Sequence, residues 1–289
     1  MLTHIKEVLK KADKGEYAIG AFHSDDLETT LGILEAAEEE KSPLIILVTP
    51  KSIKYAGLKP ITHLVETSAK NIATHVPVVL HLDHGDSFHS AAECIQAGFS
   101  SIMIDASSLP FDENIFLTKK IVEYGHRYGV FVQGEIGRVP KTIEEIKEYL
   151  ANPSDFMTIP EEAAEFVKKT KVDALAIGVG NIHGKFKMTH KVKIDHQRLI
   201  KINKLVKVPL VLHGASGLEK EDIKKAIKHG VRIINIHTEI SMAYTAALRK
   251  KLKEDPKEID PRKIMLPAIE AIKKVVKEKI KMFGSANRA

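Results

Sequence analysis

Three histidines stand where short apolar runs give out, each followed by glycine: His84 in Leu82-Asp83-His84-Gly85, His183 in Asn181-Ile182-His183-Gly184, and His213 before Gly214. Three neutral imidazoles suit Zn²⁺, because they leave the ion its full charge and a fourth position open to a substrate oxygen. A hydrogen-bonded bystander is the plainer reading of any single histidine, and it fits His4, His63, His126 and His229 in helical or loop contexts. Carboxylates accompany the three. Asp83 precedes His84, and adjacent strand side chains point to opposite faces unless the strand is ending, where both can turn inward. There it could exchange a proton with a metal-bound substrate, or orient a ligand histidine from behind. Asp105 and Glu135, at the ends of two further runs, could hold a displaced metal or steer protons, or pair with interior cations.

A second chemistry lies farther along. His213-Gly214-Ala215-Ser216-Gly217 leads to a helix expected at about Leu218, so backbone N–H groups and the helix dipole would face an anion. Asn235, Ile236, His237 and Thr238 close the last apolar run. A phosphate site and an ordinary glycine turn both account for the first of these segments.

Eight Val- and Ile-rich runs carry these residues: YAIGAF (17–22), LIILVT (44–49), VVLHLDH (78–84), SIMIDA (101–106), VFVQGEI (130–136), ALAIGVG (174–180), PLVLHG (209–214) and RIINIHT (232–238). Amphipathic segments such as LETTLGILEAAEEEK and DHQRLIKINKLVK separate them, and several end in glycine as helix C-caps do. Nearly continuous apolar strands covered by helices imply a parallel sheet buried on both faces. Eight such units without a break in composition predict an α/β protein with one (β/α)8 TIM barrel over 1–289, with 238–289 as a C-terminal helical extension; a doubly wound sheet is the alternative. In a barrel the strand ends converge, which would gather the histidines, carboxylates and phosphate segment into one site. The longest connection, about 138–159, contains TIEEIKEYL and several prolines and is expected to be a lid or functional insertion.

The composition removes other classes. The chain of 289 residues is 44% hydrophobic and 28% charged, and its longest strongly apolar stretch is LIILV, too short to span a membrane. The N-terminal segment lacks the apolar core of a secretory signal, and one cysteine, Cys94, allows no internal disulfide, so a cytoplasmic setting is expected. At helical spacing from Ala91 and Ala97, Cys94 reads as a buried small hydrophobe. A pI near 9.1 invites a nucleic-acid partner. Residues 240–289, however, carry 13 basic against 6 acidic side chains, which exceeds the whole +6 balance, and those lysines alternate with Ile272, Val275, Val276 and Ile280 as on a helix with one solvated face. With no Trp and 6% aromatics a stacking platform is absent, so neither nucleic acid nor membrane is expected as partner.

From Gly20-Ala21-Phe22 through HLDHG, MID, VDALAIG, NIHGKF, PLVLHGASG and NIHT to the closing MFGSANRA, the chain resembles the class II, metal-dependent ketose-bisphosphate aldolases, especially the tagatose-bisphosphate and short fructose-bisphosphate branch. The resemblance implies Zn²⁺ on His84, His183 and His213, Asp83 as catalytic proton carrier, and an alternative metal position at Asp105 and Glu135. It implies that Gly184, Gly214, Ala215, Ser216, Asn235, Ile236, His237 and Thr238 hold the dihydroxyacetone-phosphate end, with Na⁺ or K⁺ as a further cofactor and a homodimer or homotetramer as the assembly. The chain departs from the family pattern at four places. Ala215 stands for a usual Gly, His237 for a usual Asp, His23 and Asp26 occupy the segment that usually begins with Asn, and Arg138-Val139-Pro140-Lys141, with Glu144 and Glu145 displaced, replaces a Gly-Gly and acidic loop. The activity implied is zinc-dependent, reversible cleavage of a ketose 1,6-bisphosphate into dihydroxyacetone phosphate and an aldehyde such as glyceraldehyde 3-phosphate. The departures leave two alternatives: an aldolase for another phosphorylated ketose or deoxy-sugar acid, and a degenerate barrel that binds a sugar phosphate without turnover.

Overall fold

In a computed structural model, which describes residues 2–184 and 192–289, eight parallel strands close into a barrel in the order β1 to β8. The chain runs α1 (Ile5–Lys14), β1 (Ile19–His23), α2 (Leu27–Glu39), β2 (Leu44–Val48), α3 (Pro50–Ala56), α4 (Leu58–Asn71), β3 (Val78–Gly85), α5 (Phe88–Gln96), β4 (Ser101–Ile104) and α6 (Phe111–Arg127). It continues with β5 (Phe131–Ile136), α7 (Ile143–Ala151), a 3-10 turn (Pro153–Phe156), α8 (Pro160–Thr170), β6 (Ala174–Ile177), α9 (His196–Leu205), β7 (Leu210–Leu212), α10 (Lys220–Lys228), β8 (Val231–Ile236), α11 (Thr238–Glu254) and α12 (Pro261–Phe283). The barrel expected from the apolar runs is therefore the fold, and the pairing of β1 with β8 from Ile19↔Ile233 to Phe22↔Ile236 closes it.

Two apolar layers hold the barrel. Inside it, Ile19, Ala21, Ile45, Leu47, Val79, Met103, Phe131, Ala174, Ala176, Val211 and Ile233 pack with Ile5, Val8, Leu9 and Ala12 of α1, whose apolar face plugs one end. Outside it, strand residues of the opposite parity, such as Phe22, Ile46, Leu80, Ile102 and Val132, meet the ring of helices. Cys94 is fully buried in that outer layer, as its spacing predicts.

The elements differ from the sequence expectation in two places. α10 begins at Lys220, two residues later than read, so Leu218 belongs to the preceding loop. The TIEEIKEYL stretch of the 138–159 connection is α7, as its sequence suggests: Thr142 and Glu145 form the capping box that starts it, and Gly137 and Arg138 pack against Phe156 and Thr158. The C-terminal lysines are not merely solvated: Lys273, Lys277 and Lys281 pair with Glu35, Glu39 and Glu40 across α12 and α2. Among the described residues no helix is long and apolar enough to cross a membrane.

Candidate active site

The two-residue period of a strand decides which side chains reach the barrel interior. Within that period β1 reads Ile19, Ala21, His23; β3 reads Val79, His81, Asp83; β5 reads Phe131, Gln133, Glu135; and β8 reads Ile233, Asn235. Each column is apolar near the α1 plug and polar at the C-terminal end. Asp83, Glu135 and His213, just past β7, are between 0% and 2% exposed. His84 falls on the wrong parity for the interior. It is brought in by a backbone φ of 50° and a register shift between β3 and β4 at Leu82/Gly85, so consecutive residues Asp83 and His84 both face the site.

Ligand atoms of His84, His183 and His213 lie within 4.8 Å of one another, as do those of His84, Asp105 and Glu135. The ring nitrogens are already sorted. His84 Nδ1 donates to Asp105 Oδ2 at 2.7 Å, which leaves Nε2 for a metal. His213 Nε2 meets the Gln133 amide at 3.1 Å, and Asn181 Nδ2 donates to the His213 carbonyl at 3.0 Å. The other nitrogen, Nδ1, is 3.1 Å from Glu135 Oε2, yet both atoms are buried and close no hydrogen bond among the described residues. Buried polar atoms left in this way are costly unless something else satisfies them, so the donor set of three imidazoles with an adjacent carboxylate fits a divalent cation. His183 is anchored through its backbone N–H, which donates to the Pro140 carbonyl at 2.8 Å. Burial opposes charge on His84, but the Asp83, Asp105 and Glu135 carboxylates prevail and raise it to about 9. Asp105 is pushed up by burial and held well below the ordinary carboxylate range by His84 and Lys141, whose Nζ donates to it at 3.1 Å.

Asp83 sits between the metal ligands and β8. Asn235 Nδ2 donates to its Oδ1 at 3.2 Å, and His23 Nε2 lies 3.1 Å from its Oδ2, off the angle of a hydrogen bond. Burial pushes the Asp83 carboxyl up, but His84 and the neighbouring rings hold it well below the usual range, so it is ionised. Burial pushes His23 down, which keeps that ring neutral. His237 stacks on His23 with centroids 4.4 Å apart and 25° between planes, and its Nε2 lies 3.8 Å from Asp25 Oδ2. Two departures from the family pattern thus form one wall. The site opens into a cleft of about 920 Å³ whose lining includes His23, Asp25, Ser52, His84, Lys141, His183, Gly184, His237 and Thr238.

The 213–217 segment is less open than its sequence suggests. Gly214 adopts φ 56°, and a Cβ there would meet the Ile182 carbonyl oxygen at 2.5 Å, so only glycine lets this loop cross the His183 segment. Ala215 and Ile236 have their side chains in the outer core, leaving only main chain for a ligand. Ser216 is buried, whereas Gly217 N donates to Glu239 Oε1 at 2.5 Å. Asn235 Nδ2 donates to Asp83 Oδ1, so this side chain also joins the anion segment to the carboxylate of β3. Glu144 and Glu145 stay on α7, where Glu145 accepts from the Lys141 and Thr142 backbone N–H groups. Lys185 and Phe186, which complete NIHGKF, lie outside the described residues. Gln133 is absent from the sequence reading, where its period-two position below Glu135 was the available signal; Lys141 and His23 stand there only as departures from the family pattern, without their contacts to Asp105 and Asp83.

The model of the family "Fructose-bisphosphate aldolase class-II" matches residues 3–288. A fructose-bisphosphate aldolase of Thermus caldophilus is 42% identical over 312 aligned positions, covering 100% of both chains. One of Geobacillus stearothermophilus is 41% identical over 289 positions, covering 100% of this chain and 99% of its own. Among solved structures, the YdjI aldolase of Escherichia coli K12 superposes with a TM-score of 0.85 at 34% identity and full coverage of both chains. A barrel with three imidazoles and a buried aspartate at its strand ends, matched from end to end at this identity, belongs to the class II fructose-bisphosphate aldolase family of lyases.

Proposed function

We propose that the chain reversibly cleaves a ketose 1,6-bisphosphate to dihydroxyacetone phosphate and an aldehyde, with His84, His183 and His213 holding Zn²⁺. The observation that carries this reading is the placement of ionised Asp83 against the imidazole cluster, with one oxygen fixed by Asn235. Zn²⁺ at the cluster supplies Lewis-acid polarisation of the substrate ketone. Asp83 accepts the proton of the hydroxyl beyond the breaking bond and returns it in the aldol direction. Asp105 and Gln133 fix the two ligand rings, and Lys141 keeps Asp105 charged. Thr238 and the main chain of 214–216 bind the phosphate end through backbone and hydroxyl donors, with Gly217 N held by Glu239 at the end of the loop. The relatives named fructose-bisphosphate aldolase favour fructose 1,6-bisphosphate as substrate. Removal of metal with a chelator should abolish turnover and added Zn²⁺ restore it, and Asp83→Ala should lower kcat by on the order of 10²–10⁴. Turnover that survives either change overturns the mechanism.

The His23 and His237 stack favours a second reading, in which this barrel serves a different phosphorylated ketose or deoxy-sugar acid, or binds a sugar phosphate without cleaving it. A coupled assay with fructose and tagatose bisphosphates separates the two, since a binding-only barrel takes up ligand and releases no dihydroxyacetone phosphate. A Na⁺ or K⁺ requirement, a cytoplasmic setting and a dimeric or tetrameric assembly complete the proposal; activity in Na⁺, K⁺ and choline buffers, fractionation and sedimentation check each in turn.

A further inference from the structure

Lys279 is the one buried lysine among the described residues, at 7% exposure, and no step above uses it. It lies in α12 between the buried faces of Val276, Ile280 and Phe283, where an ammonium is costly unless paired. Its partner is Glu239 Oε2 at 2.6 Å. The other oxygen of the same carboxylate accepts from Gly217 N at 2.5 Å. One carboxylate therefore joins the C-terminal helix to the end of the 214–217 loop. The arrangement is electrostatically pointed, because Glu239 alone would set a negative charge beside the place where a phosphate dianion must settle.

We propose that Lys279 is a positioning residue for substrate phosphate: it neutralises Glu239 and holds it on Gly217, which keeps the loop shaped for the anion and free of net repulsion. The proposal rests on the reading of 214–217 as the phosphate loop. Lys279 touches neither the substrate nor the reacting atoms, so its effect belongs in binding rather than in the chemical step.

The test uses the full-length zinc-loaded protein, with inorganic phosphate as calorimetric probe and fructose 1,6-bisphosphate as kinetic substrate. Lys279→Met should weaken phosphate on the order of tenfold and raise KM with kcat nearly unchanged, because an unpaired carboxylate then faces the anion. Glu239→Gln keeps an oxygen for Gly217 N and leaves Lys279 positive, so it should bind phosphate as tightly as the parent or tighter. Opposite responses identify the charge mechanism; a structural role alone weakens binding in both. Lys279→Met with parental phosphate affinity, or Glu239→Gln weakened as much as Lys279→Met, overturns the proposal. Should Lys279→Met fail to fold by circular dichroism, Lys279→Met/Glu239→Gln, which buries no unpaired charge, must fold and bind phosphate within about threefold of the parent, or the proposal falls. If the parent itself binds no phosphate in competition with substrate, the phosphate-loop reading fails, and the role of Lys279 with it.

Discussion

His84 shows how a single residue can break the local rule to serve the site. A non-glycine residue at φ 50° carries strain of order 1–3 kcal/mol, and the surroundings hold it there: Nδ1 on Asp105, and Asp105 on Lys141 and Ser107. Asp105 admits three roles on its sequence position, alternative ligand, proton carrier or partner to a cation, and the geometry adds a fourth, that of fixing the His84 tautomer. Asp105→Ala should therefore lower Zn²⁺ affinity about 10–100-fold while leaving the three imidazoles in place, as competition with a chromophoric chelator would measure. Parental affinity in that variant would mean that Asp105 serves Lys141 alone. The sequence names nearly every polar residue at the strand ends, yet not which ring nitrogen each one faces. That depends on side chains from β3, β4, β5 and β7 meeting across the barrel, a relation that no spacing along the chain encodes.

At the scale of elements, the pairing of α2 with α12 accounts for the charge imbalance. The acidic run at the end of α2 and the lysines of α12 both look like solvated faces when read separately, since 238 residues divide Glu39 from Lys277. Close packing brings them together: a Cβ on Gly32 would lie 2.8 Å from Ile272 Cγ2 and 2.9 Å from the Ile269 carbonyl oxygen, so glycine in mid-helix marks the crossing point. Around it Lys273 reaches Glu35 at 3.3 Å and also pairs with Glu39, while Lys277 reaches Glu39 at 2.7 Å and Glu40 at 3.5 Å. Single pairs of this exposure contribute about 0–1 kcal/mol, and a shared network somewhat more. Lys277→Glu replaces two attractions with two repulsions and should destabilise the fold in dilute buffer, read as a lower urea midpoint. The loss should shrink in about 1 M salt, where the Debye length is about 3 Å. A loss that salt leaves unchanged would assign the effect to packing of the lysine stem instead. The helices were thus legible from their periodicity, and the partner of each charged face was not.

For the whole molecule, the closed barrel creates an interior whose polarity rises along each column from the α1 plug to the strand ends. Eight apolar runs reveal the barrel because parallel strands are buried on both faces; the polar interior positions Gln133 and His81 pass unnoticed because a lone polar residue in such a run resembles an exposed one. His81 is 2% exposed with Nδ1 2.6 Å from Ser101 Oγ, and burial lowers it to about 4; burial lowers His23 as well. In the unfolded chain both titrate near 6.5. Below that pH the unfolded state binds protons that the folded state refuses, so the stability present above pH 6.5 is lost as the pH falls toward 4. The contribution of His81 approaches about 3 kcal/mol at and below the lower limit. Urea unfolding of the metal-free chain at a series of pH values between 7 and 4 should show this decline, and His81→Asn, which cannot be protonated, should flatten it. Metal-free chain is the right sample, because acid also displaces a metal from histidines and would superimpose a second loss. If His81→Asn follows the parental slope, the interior ring is not the group that limits acid stability, and the decline must come from the cluster at the strand ends.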